Sequence, residues 1–381
     1  MRLANADLAG LVDWRRDMHR HPEISGEERE TAGRVVAFVR RTRPDQLVTG
    51  LGGHGVAAIY ESGQPGPTVM LRCELDALPI LETGEVAHRS TVPGKAHLCG
   101  HDGHMTIIAT VACELGVERP KRGSVVLLFQ PAEETGAGAA AVIADPKFSV
   151  IAPDYAFALH NMPGLPLGHA RLSAGPANCA SRGMRIVLSG RTAHASMPET
   201  GISPMAAVAQ LMPGLTALGG DGVLQEGYAL VTVTHAAMGE PAFGIAPGRA
   251  EVWATLRTLT DGGMDALVAA AEQLVRSAAL ASGLGVEIGY HDVFHHCDND
   301  PEAVDLLRAA FEAETIPHGP GEVMRASEDF GLFGRNARAA MFLFGSGEAA
   351  PQLHNPDYDF PDELIEPGAR IFVRVVRNLL G

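Results

Sequence analysis

The sequence predicts an α/β fold in two domains: a larger α/β domain interrupted by a smaller inserted α+β domain. Three observations carry this. Short apolar runs alternate with helical patterns up to about residue 175, the rhythm of an α/β domain. The middle of the chain changes to a few strands with two long helices, which fits an α+β unit of about a hundred residues. The first rhythm then resumes to the end. The expected division is 1–177 and 295–381 for the larger, discontinuous domain and 178–294 for the inserted one. With 381 residues, 46% of them hydrophobic and 20% charged, the chain is an ordinary globular sequence of two or three domains at about 150 residues each.

The elements follow in order. Helical patterns cover 7–20 and 27–41, broken by His21-Pro22-Glu23, with Ser25 placed to cap the second. Apolar runs at 55–60, 68–71, 125–129 and 155–159 read as buried strands, and 105–115 as a buried helix. Residues 184–189, 229–234, 251–258 and 286–293 read as strands of the inserted domain, with helices at 204–218 and 264–281. After it come a helix at 301–313, a strand at 340–344 and an amphipathic helix at 364–380.

Charge and cysteine content exclude some partners. A net charge of −15 argues against nucleic acid or an anionic membrane. The first eight residues lack the apolar core of a signal peptide, and no run approaches a membrane span. Five scattered cysteines, Cys73, Cys99, Cys113, Cys179 and Cys297, do not form a disulfide framework. The expectation is a cytoplasmic protein with free thiols.

Chemistry concentrates in His97-Leu98-Cys99-Gly100-His101-Asp102-Gly103-His104, where a thiol, three imidazoles and a carboxylate fall within one short stretch. These side chains bind first-row divalent metals. A second cluster, Glu133-Glu134, follows the strand at 125–129, His160 follows the strand at 155–159, and His354 comes soon after that at 340–344. Carboxyl ends of strands line the ligand crevice of open α/β sheets. Cys99 as a thiolate is suited to bridging two cations. His101, His160 and His354 supply imidazoles, and Glu134 supplies carboxylate oxygens. Glu133 is the natural general base for a metal-activated water. His88, His169, His235, His291 and His318 have no partner pattern and read as surface or hydrogen-bonded core groups, as do the other four cysteines as ordinary thiols.

These motifs make the chain resemble the aminoacylase-type metallopeptidases (peptidase family M20), and within them the amidohydrolases that include hippurate and indole-acetyl-amino-acid hydrolases. The resemblance is carried by Met18-His19-Arg20-His21-Pro22-Glu23, Leu71-Arg72-Cys73-Glu74-Leu75-Asp76-Ala77-Leu78-Pro79 and Cys99-Gly100-His101-Asp102-Gly103-His104. It continues through Phe129-Gln130-Pro131-Ala132-Glu133-Glu134, Ala158-Leu159-His160-Asn161, Gly190-Arg191-Thr192-Ala193-His194-Ala195, Ser327-Glu328-Asp329-Phe330 and Leu353-His354-Asn355-Pro356-Asp357-Tyr358-Asp359-Phe360. It implies a zinc-peptidase-like catalytic domain with a satellite lid and dimerisation domain. It also implies two divalent ions, manganese or zinc with cobalt or nickel as substitutes, on Cys99, His101, Glu134, His160 and His354, and Glu133 as general base. His194 falls on a histidine that polarises the substrate carbonyl, Arg257 on an arginine near the substrate carboxylate, and Asp76 on a group that orients a metal-binding histidine. The implied reaction is hydrolysis of N-acyl amino acids or similar small amides by a homodimer, a tetramer being the alternative. A dipeptidase or carboxypeptidase is the second reading and a non-catalytic metal-dependent binding protein a minor one. The sequence departs from the pattern at Gly244-Ile245-Ala246-Pro247, which lacks the usual Asn, and at Glu74 and Ser203, where aspartates are usual.

Overall fold

The computed structural model describes residues 7–381; residues 1–6, which carry most of the expectation about a missing signal peptide, lie outside the described residues. Two compact units emerge among the described residues: 7–177, 297–322 and 329–381 form the larger, and 178–296 with 323–328 the smaller.

The chain opens with α1 (Leu8–Arg20), whose first turn is capped by the Asp7 carboxylate accepting the Gly10 N–H at 3.2 Å. α2 (Arg29–Val39) follows. Ser25 does not cap it. The Ser25 hydroxyl donates instead to Asp76 Oδ2 at 2.7 Å, and Glu28 takes the N-cap position, accepting the Ala32 N–H through its backbone carbonyl but with no capping bond from its side chain. Next come β1 (Gln46–Leu51), β2 (Gly55–Glu61), β3 (Thr68–Glu74), α3 (His101–Val117), β4 (Ser124–Gln130), α4 (Gly138–Ala144), β5 (Tyr155–Pro163), β6 (Ala170–Arg171) and β7 (Gly175–Asn178). The smaller unit contributes β8 (Ala180–Ser189), β9 (Ala193–His194), α5 (Met205–Ala217), β10 (Ala229–Met238), β11 (Ile245–Ala246), β12 (Arg249–Thr258), α6 (Asp261–Ala281) and β13 (Gly285–Phe294). β14 (Cys297–Asn299), α7 (Pro301–Ala313), β15 (His318–Gly319), β16 (Arg338–Gly347) and α8 (Ile365–Leu380) complete the chain.

The larger unit is built on an eight-stranded sheet of order β1-β2-β4-β3-β5-β16-β6-β15. Its centre, β4-β3-β5-β16, is parallel, while β1-β2, β2-β4 and β16-β6 pair antiparallel. Both faces are covered. Val125, Leu127 and Phe129 of β4 join one core with α1, α2, α3, α7 and α8, while Val126 and Leu128 join a second core with Ala139 and Val142 of α4. Two-sided burial is why these strands read as continuous apolar runs rather than as alternation.

The smaller unit has a four-stranded antiparallel sheet, β10-β12-β8-β13. Met184, Ile186 and Leu188 of β8 and Val252, Ala254 and Leu256 of β12 pack with Leu211 of α5 and Val275 of α6. Among the described residues no helix is long and apolar enough to cross a membrane.

Candidate metal centre

The carboxyl ends of the central parallel strands meet the amino end of α3. β3 ends at Glu74 and leads to Asp76; β4 ends at Gln130 and leads to Glu133 and Glu134. α3 starts at His101 itself rather than at 105, so the second half of the cluster forms the first helical turn. Gly100 makes that turn at φ 91°, and a Cβ there would lie 2.4 Å from Asn161 Oδ1. β5 runs through His160 to Pro163, paired with β16, so this histidine sits within a strand rather than after its end.

Hydrogen bonds fix which atom each ligand candidate presents. His101 Nδ1 donates to the Asp76 carbonyl at 2.9 Å, with the Asp76 carboxylate 3.5 Å away. Its Nε2 is therefore turned inward, buried and without a hydrogen-bond partner, 3.9 Å from both Glu133 Oε2 and Glu134 Oε1. His160 Nδ1 donates to the Asn161 carbonyl at 2.8 Å and leaves Nε2 3.5 Å from Cys99 Sγ. This is the backbone support that metal-binding imidazoles use to fix tautomer and orientation. His354, at φ 67°, is anchored by its N–H to the Leu98 carbonyl at 2.9 Å and brings Nε2 3.6 Å from Glu134 Oε2.

The ligand atoms fall into overlapping groups within 4.8 Å: Cys99, His101 and His160; Cys99, Glu134 and His354; His101, Glu133 and Glu134. All six candidates from the larger unit thus converge, and Cys99 belongs to two of the groups.

The electrostatics fit a cation. Burial pulls the His101 pKa down, yet Asp76, Glu74 and Glu134 outweigh it and raise it to about 10. Burial and then the Glu134 and Glu133 carboxylates push the Cys99 thiol well up. A site that clings to protons on a buried imidazole and a buried thiol is one that wants positive charge, and a divalent ion supplies it in their place. Burial, then His104, pushes His160 down to about 3, which leaves it the neutral imidazole a metal needs.

Neighbouring donors are otherwise engaged. His104 Nδ1 donates to Glu74 Oε2 at 2.7 Å and its Nε2 accepts the Asn161 N–H at 3.3 Å, so both nitrogens are taken. Glu74, at one of the departures from the family pattern, also pairs with Arg72. Asp102 turns away to Arg15 and His19, each at 2.9 Å. Asp329 accepts from Arg72 NH2, Gln130 and the Ala139 N–H, which ties strand ends together. Sequence reading had no signal for Glu28, which bonds Ala132 beside Glu133; a Glu at a helix start looks like any other.

His194 and Arg257 lie in the smaller unit. His194 is exposed on β9 and pairs with Ile245 of β11, the segment that departs from the family pattern at Gly244. Its Nδ1 accepts the Ser196 hydroxyl at 2.7 Å and the Ser196 N–H at 3.2 Å, so the ring proton sits on Nε2. Arg257 NH1 donates to the Arg325 carbonyl and to Ser327 Oγ, both at 2.9 Å.

Comparison with known proteins gives a consistent result. The sequence model of peptidase family M20/M25/M40 matches residues 70–378. An N-acetylcysteine deacetylase of Bacillus subtilis (strain 168) is 27% identical over 371 residues, 96% of this chain and 95% of the relative. A hippurate hydrolase of Campylobacter jejuni is 29% identical over 379 residues, 98% of each chain. The crystal structure of a dinuclear metal-binding peptidase of family M20 from Bacillus subtilis superposes with a TM-score of 0.82 at 26% identity, covering 98% of each chain.

Proposed function

Because this chain belongs to peptidase family M20/M25/M40, we propose that it is a metal-dependent amidohydrolase that cleaves the amide bond of N-acyl amino acids or similar small amides. The observation that carries this reading is the inward, unpartnered His101 Nε2 among Cys99, His160 and two carboxylates. Relatives named for N-acetylcysteine and hippurate support the substrate class.

Cys99, His101, Glu134, His160 and His354 are the proposed ligands of two divalent ions, and their mixed S, N and O donors suit zinc or manganese. Such ions supply Lewis acidity that polarises the amide carbonyl and acidifies a water. Glu133, buried and within 3.9 Å of the His101 ring, accepts a proton from the attacking water. A C–O bond forms, the C–N bond breaks, and Glu133 passes the proton to the departing amine nitrogen. His194, with its proton on Nε2, is the proposed donor to the carbonyl oxygen as negative charge builds there. Arg257 offers its remaining N–H groups to the substrate carboxylate. The smaller unit is the proposed satellite domain that pairs two chains as a homodimer.

Glu133→Gln tests the base directly. The variant is expected to bind both ions as the parent does and to lose about 10³-fold in kcat. Near-normal turnover with full metal content would remove Glu133 from this role.

A further inference from the structure

Glu133 sits on a backbone that does not hold its shape unaided. The preceding residue, Ala132, has φ 51°, the left-handed region that a residue with a Cβ seldom adopts. The turn itself bonds the two carbonyls, Gly138 N–H to Ala132 O at 3.0 Å and Gly136 N–H to Glu133 O at 2.7 Å. What holds the Ala132 N–H comes from the connector between α1 and α2. Glu28 is fully buried, and its Oε1 accepts the Ala132 N–H at 2.8 Å. Although Glu28 stands at the N-cap of α2, where free helix amides are at hand, its side chain caps none of them through Oε1 and reaches across to Ala132 instead. On the other side of Glu133, the Glu134 N–H donates to Asp76 Oδ2 at 3.0 Å, and the same oxygen accepts the Ser25 hydroxyl at 2.7 Å. The N–H of Ala132, one residue before the base, and the N–H of the peptide that follows it are therefore tied to two carboxylates, Glu28 itself and Asp76, which Ser25 bonds.

We infer that Glu28 is a positioning residue for catalysis: by accepting the N–H of left-handed Ala132 it steadies the turn that aims Glu133. The inference rests on Glu133 being the general base. Burying a carboxylate is costly, and packing alone would be served by an apolar side chain. Backbone N–H groups of Glu28 itself and Gly26 face this carboxylate, and so does the Ala132 N–H beside Glu133, which Oε1 accepts. Glu28 touches no substrate and no candidate ligand. Its bond to Ala132 runs through the reach of one oxygen, Oε1, which side-chain length alters.

Three variants test this: Glu28→Gln keeps an acceptor oxygen at the same reach, Glu28→Asp keeps the charge and withdraws it by one methylene, and Glu28→Ala removes it. Each is assayed as metal-loaded protein for kcat, KM and bound metal per folded chain. Misplacing a catalytic group by about 1 Å costs on the order of 100-fold. Glu28→Asp and Glu28→Ala are therefore expected to lose about 10- to 100-fold in kcat with KM and metal content unchanged, and Glu28→Gln to stay within about threefold of the parent. In a Glu133→Gln background, Glu28→Asp should add less than about a twofold further loss, since the group it aims is gone. Unchanged kcat in Glu28→Asp overturns the proposal, as does a loss that tracks metal content or that Gln fails to restore. If Glu28→Ala does not fold, the Asp and Gln variants decide. A normal rate in Glu133→Gln alone sinks the base assignment instead, so the two failures are told apart.

Discussion

At the scale of single residues, the candidate metal centre depends on which atom each side chain is made to present. His101 and His160 each donate Nδ1 to a backbone carbonyl, so each turns Nε2 inward. His104, one turn along the same helix from His101, has both nitrogens occupied. Sequence reading picks out this stretch because so many donor types crowd together, and it names His101 rather than His104 without showing what occupies His104. That distinction is made by Glu74 and Asn161, which are 30 and 57 positions away. Gly100 is the residue on which the arrangement turns most sharply. Its left-handed φ and the Asn161 side chain 2.4 Å from any Cβ leave room for glycine alone. Gly100→Ala is expected to cost about 1–3 kcal/mol of stability and to lower metal affinity, because Cys99 and His101 flank it. Chemical denaturation and metal titration of the variant check both effects.

At the scale of elements, the strand ends and the start of α3 assemble the site, and α1 braces α3 from behind. Strands β3, β4, β5 and β16 were legible as apolar runs because both sheet faces are buried. β1 was not, since most of its residues are half or fully exposed and carry no apolar run. The extension of β5 through His160 was hidden because the polar His160 and Asn161 break the hydrophobic pattern while the ladder with β16 continues. The contact of α1 with α3 is ionic at its centre. His19 on α1 bonds Asp102 through Nδ1 at 2.9 Å and Glu82 through Nε2 at 3.2 Å, and Arg15 bonds Asp102 as well. Burial pulls the His19 pKa down, but Asp102 and Glu82 prevail and lift it to about 9. The folded pKa lies above the unfolded value of about 6.5, so the doubly bonded imidazolium stabilises the fold fully below about pH 6.5. That contribution is lost as pH rises through about 9, and amounts to about 3 kcal/mol at most. Unfolding free energy measured from pH 6 to 10 should fall in this window for the parent and stay flatter for His19→Ala. Parallel curves would show that His19 is neutral in the folded protein.

At the scale of the whole molecule, the chain divides into two units with separate cores, and the six candidates of the metal centre all belong to the larger one. The switch from two-faced apolar strands to an antiparallel sheet with two long helices was readable as a change of rhythm. The short pair β9-β11, which carries His194, was not, because two-residue strands leave no periodic trace. The central claim is that this larger unit holds divalent ions for amide hydrolysis. Its most direct test strips the protein of metal and then adds back zinc, manganese or cobalt, with N-acetyl and N-benzoyl amino acids and dipeptides as substrates. The account predicts no turnover by the stripped protein and restored release of free amino acid from N-acyl amino acids at about two bound ions per chain. Turnover that persists without metal, or two bound ions with no hydrolysis of any of these amides, would contradict it.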